Sequence, residues 1–510
     1  MTNAQSSIAI VILLYLCFVI FTGVWIGHKN KKNAEGFYLG GRSMGPLVTA
    51  MSAEASDMSS WLLMGLPGLA YLSGLAQASW TAAGLALGTY LNFLLVAKRI
   101  RRYSTQLDAI TIPSFLSKRY GEKRPLILCV ASLTILIFFV PYVASGLAAI
   151  GKLFSSLFGW NYMLAVILGA LVIISYTSVG GFSAVATMDL IQSIIMTVAL
   201  VVITTFSIYQ AGGLSVVLEN ARALPGYLSL SQVYDPVTQT ASPYGALNMI
   251  SMLAWGLGYF GMPHILVRFM AIRDEKELTL SRRIAAVWVV ISMAISLFIG
   301  VIGLSVSATG KIPFLSGSAS ETIIVQISGL LATFGPIAAI AAGLILAGIL
   351  AATMSTADSQ LLAASSAFSE NLLQDVCGIR MTSKQTMRVA RLTVIAIAAV
   401  AVFLAADPNS SVFVIVSFAW AGFGATLGPA ILFALFWKRS NWQGILAGLV
   451  TGGITVFVWK FLLAPLGGIF AIYELLPAFA CASLAIVVVS LLTPAPNAEI
   501  QAGFEQYAHP

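Results

Sequence analysis

Charge is what this chain has least of. Only 9% of its 510 residues are Asp, Glu, Lys or Arg, against about 25% in soluble globular domains, while 59% are hydrophobic. A soluble globular protein is thereby excluded, and apolar runs near the roughly 20 residues needed to cross a bilayer recur along the whole length. Histidine is almost missing: His28, His264 and His509 stand far apart, and His264 reads as a hydrogen-bonded helix-end residue. The four cysteines, Cys17, Cys129, Cys377 and Cys481, are scattered through apolar stretches without metal-ligand spacing, so neither disulfides nor a metal centre is expected. Hydrophilic stretches of domain size are absent too, the longest lying near 213–245 and after 97 and 358. No nucleophile, acid–base pair or phosphate loop marks an enzyme. Gly256-x-Gly258-x-x-Gly261 satisfies the dinucleotide fingerprint only formally, because it lies inside an apolar span and follows no parallel strand.

What is present is an all-α integral membrane protein with about 13 transmembrane helices, expected near 7–27, 46–71, 76–97, 126–152, 160–180, 189–212, 246–267, 284–309, 330–357, 389–406, 412–437, 443–463 and 472–492. The first run has no basic segment before it and has His28, Lys29, Lys31 and Lys32 after it, so it reads as a retained span, not a secretory signal. The net charge of +8 is a topology signal. With the N-terminus outside and the C-terminus cytoplasmic, all but four of the 27 Lys and Arg fall in inner connections, Lys152, Arg222, Lys311 and Lys460 being the exceptions. Nucleic acid is not an expected partner; the lipid bilayer is.

Within this apolar background Asp57 and Glu54 stand in Ser52-Ala53-Glu54-Ala55-Ser56-Asp57-Met58-Ser59-Ser60-Trp61. An acid at a membrane helix centre costs roughly 2.5 kcal/mol or more, so such a residue is expected to hold something cationic. The stretch holds four serines and is followed by Gly65, Pro67 and Gly68, a composition that weakens a continuous helix and frees backbone carbonyls as ligands. The seventh span is interrupted as well, at Trp255-Gly256-Leu257-Gly258-Tyr259-Phe260-Gly261-Met262-Pro263-His264. Two broken helices five spans apart and running in opposite directions point to an inverted repeat with a midplane site between its halves.

These residues resemble a known family. Gly40-Gly41-Arg42-Ser43, then Ser52 to Gly68, Gly180-Gly181-Phe182 with Thr187 and Asp189, Trp255 to Phe269, Met354-Ser355-Thr356 and Ala419-Trp420-Ala421-Gly422-Phe423-Gly424 are similar to the sodium/solute symporters, in particular to their bacterial proline-carrying branch. The resemblance implies sodium-coupled uptake of L-proline across the bacterial inner membrane, with sodium as the coupling ion and no other cofactor. It also implies a leucine-transporter-like 5+5 inverted-repeat core over 46–437, with repeats of about 46–212 and 246–437. Residues 1–45 would hold a preceding helix and inner loop, and 438–510 two further helices and a short tail. For sodium it implies carbonyls of Ala55, Met58 and a residue near Ala352, the hydroxyls of Ser355 and Thr356, and the charge of Asp57. Asp189 would serve a second or transient ion position, or else simply cap the sixth span. For substrate it implies Ser59, Trp61, Gly65, Tyr142, Trp255, Tyr259 and Pro263.

Glu54 departs from the branch, where a small residue is usual, and could alter cation preference, titrate or pair with Arg42. Arg42 itself reads as a gate residue or a positive-inside anchor. A symporter of another small solute, such as a betaine or a carboxylate, and a non-transporting sensor remain alternatives.

Overall fold

The computed structural model describes residues 2–29 and 34–508; Lys31, Lys32 and His509 lie outside them. In hydrocarbon every backbone N–H and C=O must find a partner within the protein, which a helix supplies from its own turns, and the chain is accordingly helical. The only strands among the described residues form a small antiparallel hairpin, Gln232–Asp235 with Thr240–Pro243, in the longest polar connection.

Ten helices among the described residues are long and apolar enough to cross a membrane, and the pair Ala246–Gly261 and Pro263–Ala271, bent by 48°, makes eleven. Two of the expected spans fall on shorter pieces. The fifth is the apolar helix Tyr162–Ser175, and the second is divided into Pro46–Ser60, Trp61–Gly65 and Leu66–Ser73. This is a multi-pass membrane protein.

At its centre the helix Pro336–Ser366 packs against Pro46–Ser60, Leu126–Phe158 and the kinked segment Tyr162–Gln210. Small side chains permit the close approach: Ala339, Ala342, Ala347, Ala351 and Ala352 are all buried, and a Cβ at Gly348 would come within 2.8 Å of Ala199. The helices Trp442–Val458 and Leu475–Leu492 pack on each other and on Val412–Phe436 at the edge of the bundle.

Three backbone breaks shape the core. Tyr162–Gln210 is interrupted at Gly181 (φ 66°), a conformation that glycine adopts without strain. The seventh span breaks at Met262, whose extended backbone precedes Pro263 at the start of a new helix. In the second span the break lies at Ser59 (φ 46°, ψ −170°), within the serine-bearing stretch and upstream of Gly65, Pro67 and Gly68. Gly68 serves packing instead: a Cβ there would stand 2.8 Å from the backbone nitrogen of Glu321.

Candidate functional site

At the Ser59 break the chain leaves the helix for one residue, and the Ser59 hydroxyl accepts the Trp61 N–H at 3.1 Å, capping the helix that restarts there. One turn earlier the second span meets the ninth. Ser355 Oγ donates to the carbonyl of Ala55 at 2.8 Å and lies 3.1 Å from that of Ala352. Thr356 Oγ1 reaches the same two carbonyls at 3.5 and 3.1 Å. Four oxygens from two helices thus converge in a buried spot, a donor set suited to a hard monovalent cation. The Met58 carbonyl, expected to be free, accepts the Trp61 N–H.

Asp57 faces the seventh span, where the Tyr259 hydroxyl donates to its Oδ2. Its backbone carbonyl accepts the Tyr142 hydroxyl at 3.2 Å. Beyond the break lies an aromatic nest. Trp61 and Trp255 sit with ring centroids 5.7 Å apart, and Phe413 packs on both. Trp255 also stacks on Trp420 and Tyr473. Gly65 leaves room beside Trp61 and Phe413, where a Cβ would come within 3.1 Å of the indole. The indole N–H groups of both Trp61 and Trp255 are buried without a hydrogen-bond partner, which costs free energy unless a ligand supplies an acceptor.

Residues 37–452 match the sequence profile of the Sodium:solute symporter family. The chain belongs to that family. Among its relatives are a sodium/proline symporter of Haemophilus influenzae, 40% identical over 97% of this chain and 96% of that one, and an osmoregulated proline transporter of Bacillus subtilis, 39% identical over 96% of both. A sodium/proline symporter of Escherichia coli is 39% identical over 97% of this chain and 95% of its own. The fold is shared with a Na+-coupled sialic acid symporter solved in a substrate-bound outward-open state, at TM-score 0.77 and 20% identity over 96% of this chain and 99% of that one.

Several polar groups in this family member are not where sequence reasoning put them. Arg268, counted among inner-loop bases, is 1% exposed; it pairs with Asp189 at 2.8 Å and donates to Ser52 and Ser359, both at 2.6 Å. Asp189 is fully buried in that network and also accepts the Ser52 hydroxyl, so it is no interfacial cap. Arg42 does not meet Glu54: it pairs with Glu35 at 3.4 Å and donates to the carbonyls of Met270 and Ala109. His264 is buried at the start of its helix, and its ring nitrogens make no well-formed hydrogen bond.

Two groups went unassigned in the sequence. Glu321 pairs with Lys152 at 2.6 Å and accepts the Ser411 hydroxyl and the N–H groups of Val412 and Phe413, fixing the start of the helix that carries Phe413 over the aromatic nest. Asp358, buried two residues beyond Thr356, accepts the Ser359 hydroxyl. A carboxylate inside an apolar span was the available signal for Asp358. Glu321 lies in a short polar connection and had none.

Proposed function

We propose that this chain takes up L-proline together with sodium by alternating access, through thirteen spans with the N-terminus outside and spans two to eleven forming the inverted-repeat core. The observation that carries the reading is the convergence of the Ala55 and Ala352 carbonyls with the Ser355 and Thr356 hydroxyls, one turn from a helix break that opens onto Trp61 and Trp255. The relatives named for proline transport, near 40% identity over almost the whole chain, support the choice of substrate.

Proline is a compact zwitterion with an apolar ring. The two partnerless indole N–H groups offer donors to its carboxylate, the aromatic faces a wall for its ring, and their electron-rich surface an attraction for its ammonium. Sodium held by Ala55, Ala352, Ser355 and Thr356, with Asp57 supplying charge, ties the second span to the ninth. Because Ser59 and Trp61 continue the same broken helix, ion binding orders the substrate pocket. Each sodium moved inward through about 100 mV supplies roughly 2.3 kcal/mol, about fortyfold accumulation before any sodium gradient is added. Sodium and proline should then raise each other's affinity by equal factors. Equilibrium binding of labelled proline to purified protein at increasing sodium tests the reading: affinity that rises with sodium supports it, and sodium-independent affinity refutes it.

A further inference from the structure

Trp255 carries one of the two orphan indole N–H groups, and its own backbone is poorly suited to hold that group still. It lies in the 3₁₀ stretch Ala254–Gly261, where hydrogen-bond geometry is poorer than in an α-helix, and Gly256 and Gly258 beside it bring no side chains to wedge the ring. The indole is therefore set from outside. Trp420 Nε1 donates to the Trp255 carbonyl at 2.7 Å and fixes the backbone. Trp61 and Phe413 pack on the ring, but neither side chain makes a hydrogen bond that would hold it in place. Tyr473 does: its ring centroid lies 5.2 Å from that of Trp255, with the planes 24° from parallel.

Tyr473 belongs to the connection between the helices Trp442–Val458 and Leu475–Leu492. Leu466 and Ile469 in that connection are exposed, whereas Tyr473 is buried. Its backbone N–H donates to Ser251 Oγ and its hydroxyl to the Ser417 carbonyl, both at 2.7 Å. Tyr473 thus meets Ser251 and Trp255, four residues apart on one span, and clasps that span to the helix Val412–Phe436, which also carries Trp420. The residues around it are tied down as well. The Trp459 indole donates to the carbonyls of Phe470 and Ile472 at 3.0 and 3.3 Å, and Lys460 pairs with the buried Glu474 at 3.3 Å. Leu475 fills the space beside Gly424, where a Cβ would come within 2.7 Å of it.

We propose that Tyr473 is a positioning residue of the substrate site: it holds the Trp255 indole so that its N–H meets the carboxylate of the substrate, and the pocket is complete only with the two helices that follow the inverted-repeat core. A stacked aromatic pair contributes beyond its buried area, and a group held in place beforehand need not be ordered when the ligand arrives. The inference rests on the proline reading above and adds to it a residue that acts through Trp255 without touching the substrate.

Equilibrium binding of labelled proline to the purified full-length protein in lipid nanodiscs at saturating sodium tests it, with ²²Na⁺ binding in the absence of proline as the control for an intact core. Tyr473→Leu should weaken proline about tenfold, the loss of a stacked pair, and Tyr473→Phe about fivefold, the loss of the hydroxyl's bond to Ser417. Binding of ²²Na⁺ should match wild type in both. In a Trp255→Phe background, Tyr473→Leu should add less than about twofold, because the group it positions is gone. Should Tyr473→Leu not fold, Ser251→Ala, which removes the acceptor of the Tyr473 N–H, is expected to weaken proline in the same direction and again to add little to Trp255→Phe. Wild-type proline affinity in the Tyr473 variants, losses that multiply in the double variant, or an equal loss of ²²Na⁺ binding would overturn the positioning role while leaving sodium-driven proline uptake intact. A wild type that binds no proline in sodium would overturn the proline reading with it.

Discussion

The Tyr259 hydroxyl, on the broken seventh span, donates a hydrogen bond to the Asp57 carboxylate on the broken second span, 202 residues away. The bond joins the acid proposed to charge the sodium site and the tyrosine proposed for the substrate pocket into one unit. Tyr259→Phe removes the hydroxyl and keeps the ring. A hydrogen bond to a charged group contributes about 1.5–3 kcal/mol, so the sodium concentration for half-maximal uptake should rise roughly tenfold or more. A sodium titration of uptake that overlays wild type would contradict this link.

Thr356→Ala and Asp57→Asn should likewise shift sodium dependence upward, and by more than they change proline affinity at saturating sodium. Ser355→Ala should act in the same direction, because its oxygen joins the same two carbonyls. Initial rates measured across a sodium series in each variant check this. An equal loss of proline affinity at all sodium concentrations would move these residues out of the ion site.

Trp61→Ala should behave in the opposite way, weakening proline binding even at high sodium. Trp61→Phe separates the causes in part, since it keeps a smaller aromatic wall beside Phe413 and removes the orphan N–H. A weakening of about five- to tenfold in Trp61→Phe, near 1 kcal/mol or a little more, fits one lost hydrogen bond to the substrate. Wild-type affinity in both variants would take Trp61 out of the pocket.

Arg268 and Asp189 give a prediction about stability. Breaking a buried pair by removing one partner costs about 3–5 kcal/mol, because an unpaired charge stays behind. Arg268→Met should therefore lower the thermal unfolding temperature of the detergent-purified protein markedly, and Arg268→Met with Asp189→Asn should restore much of it. Loss in the double variant equal to the sum of the two single losses would argue against a coupled pair.

Much of this was legible from composition because membrane folding leaves few options. Low charge and recurring apolar runs specify a helical bundle, and Trp255 to His264 marked a break that the structure places at Met262. The second break was legible as a composition but not as a position. The four serines of the stretch and Gly65, Pro67 and Gly68 together suggest a weakened helix; of these it is Ser59 that takes the positive φ, and Gly68 is small because Glu321 passes close by. Arg268 was misplaced because a base at the end of a span looks the same in sequence whether it faces water or turns inward to a carboxylate 79 residues away. Phe413 and Tyr473 could not be linked to Trp255 by any local pattern, since their contact depends on how distant helices pack. Glu54 was visible as an oddity, but its missing partner became clear only once Arg42 was found engaged elsewhere.

The most direct test of the account is uptake of labelled proline into proteoliposomes holding the purified protein, first under an inward sodium gradient and then with sodium replaced by potassium. The account predicts saturable, concentrative uptake that requires sodium. Absence of proline uptake under both conditions, from protein shown to be folded and inserted, would contradict it.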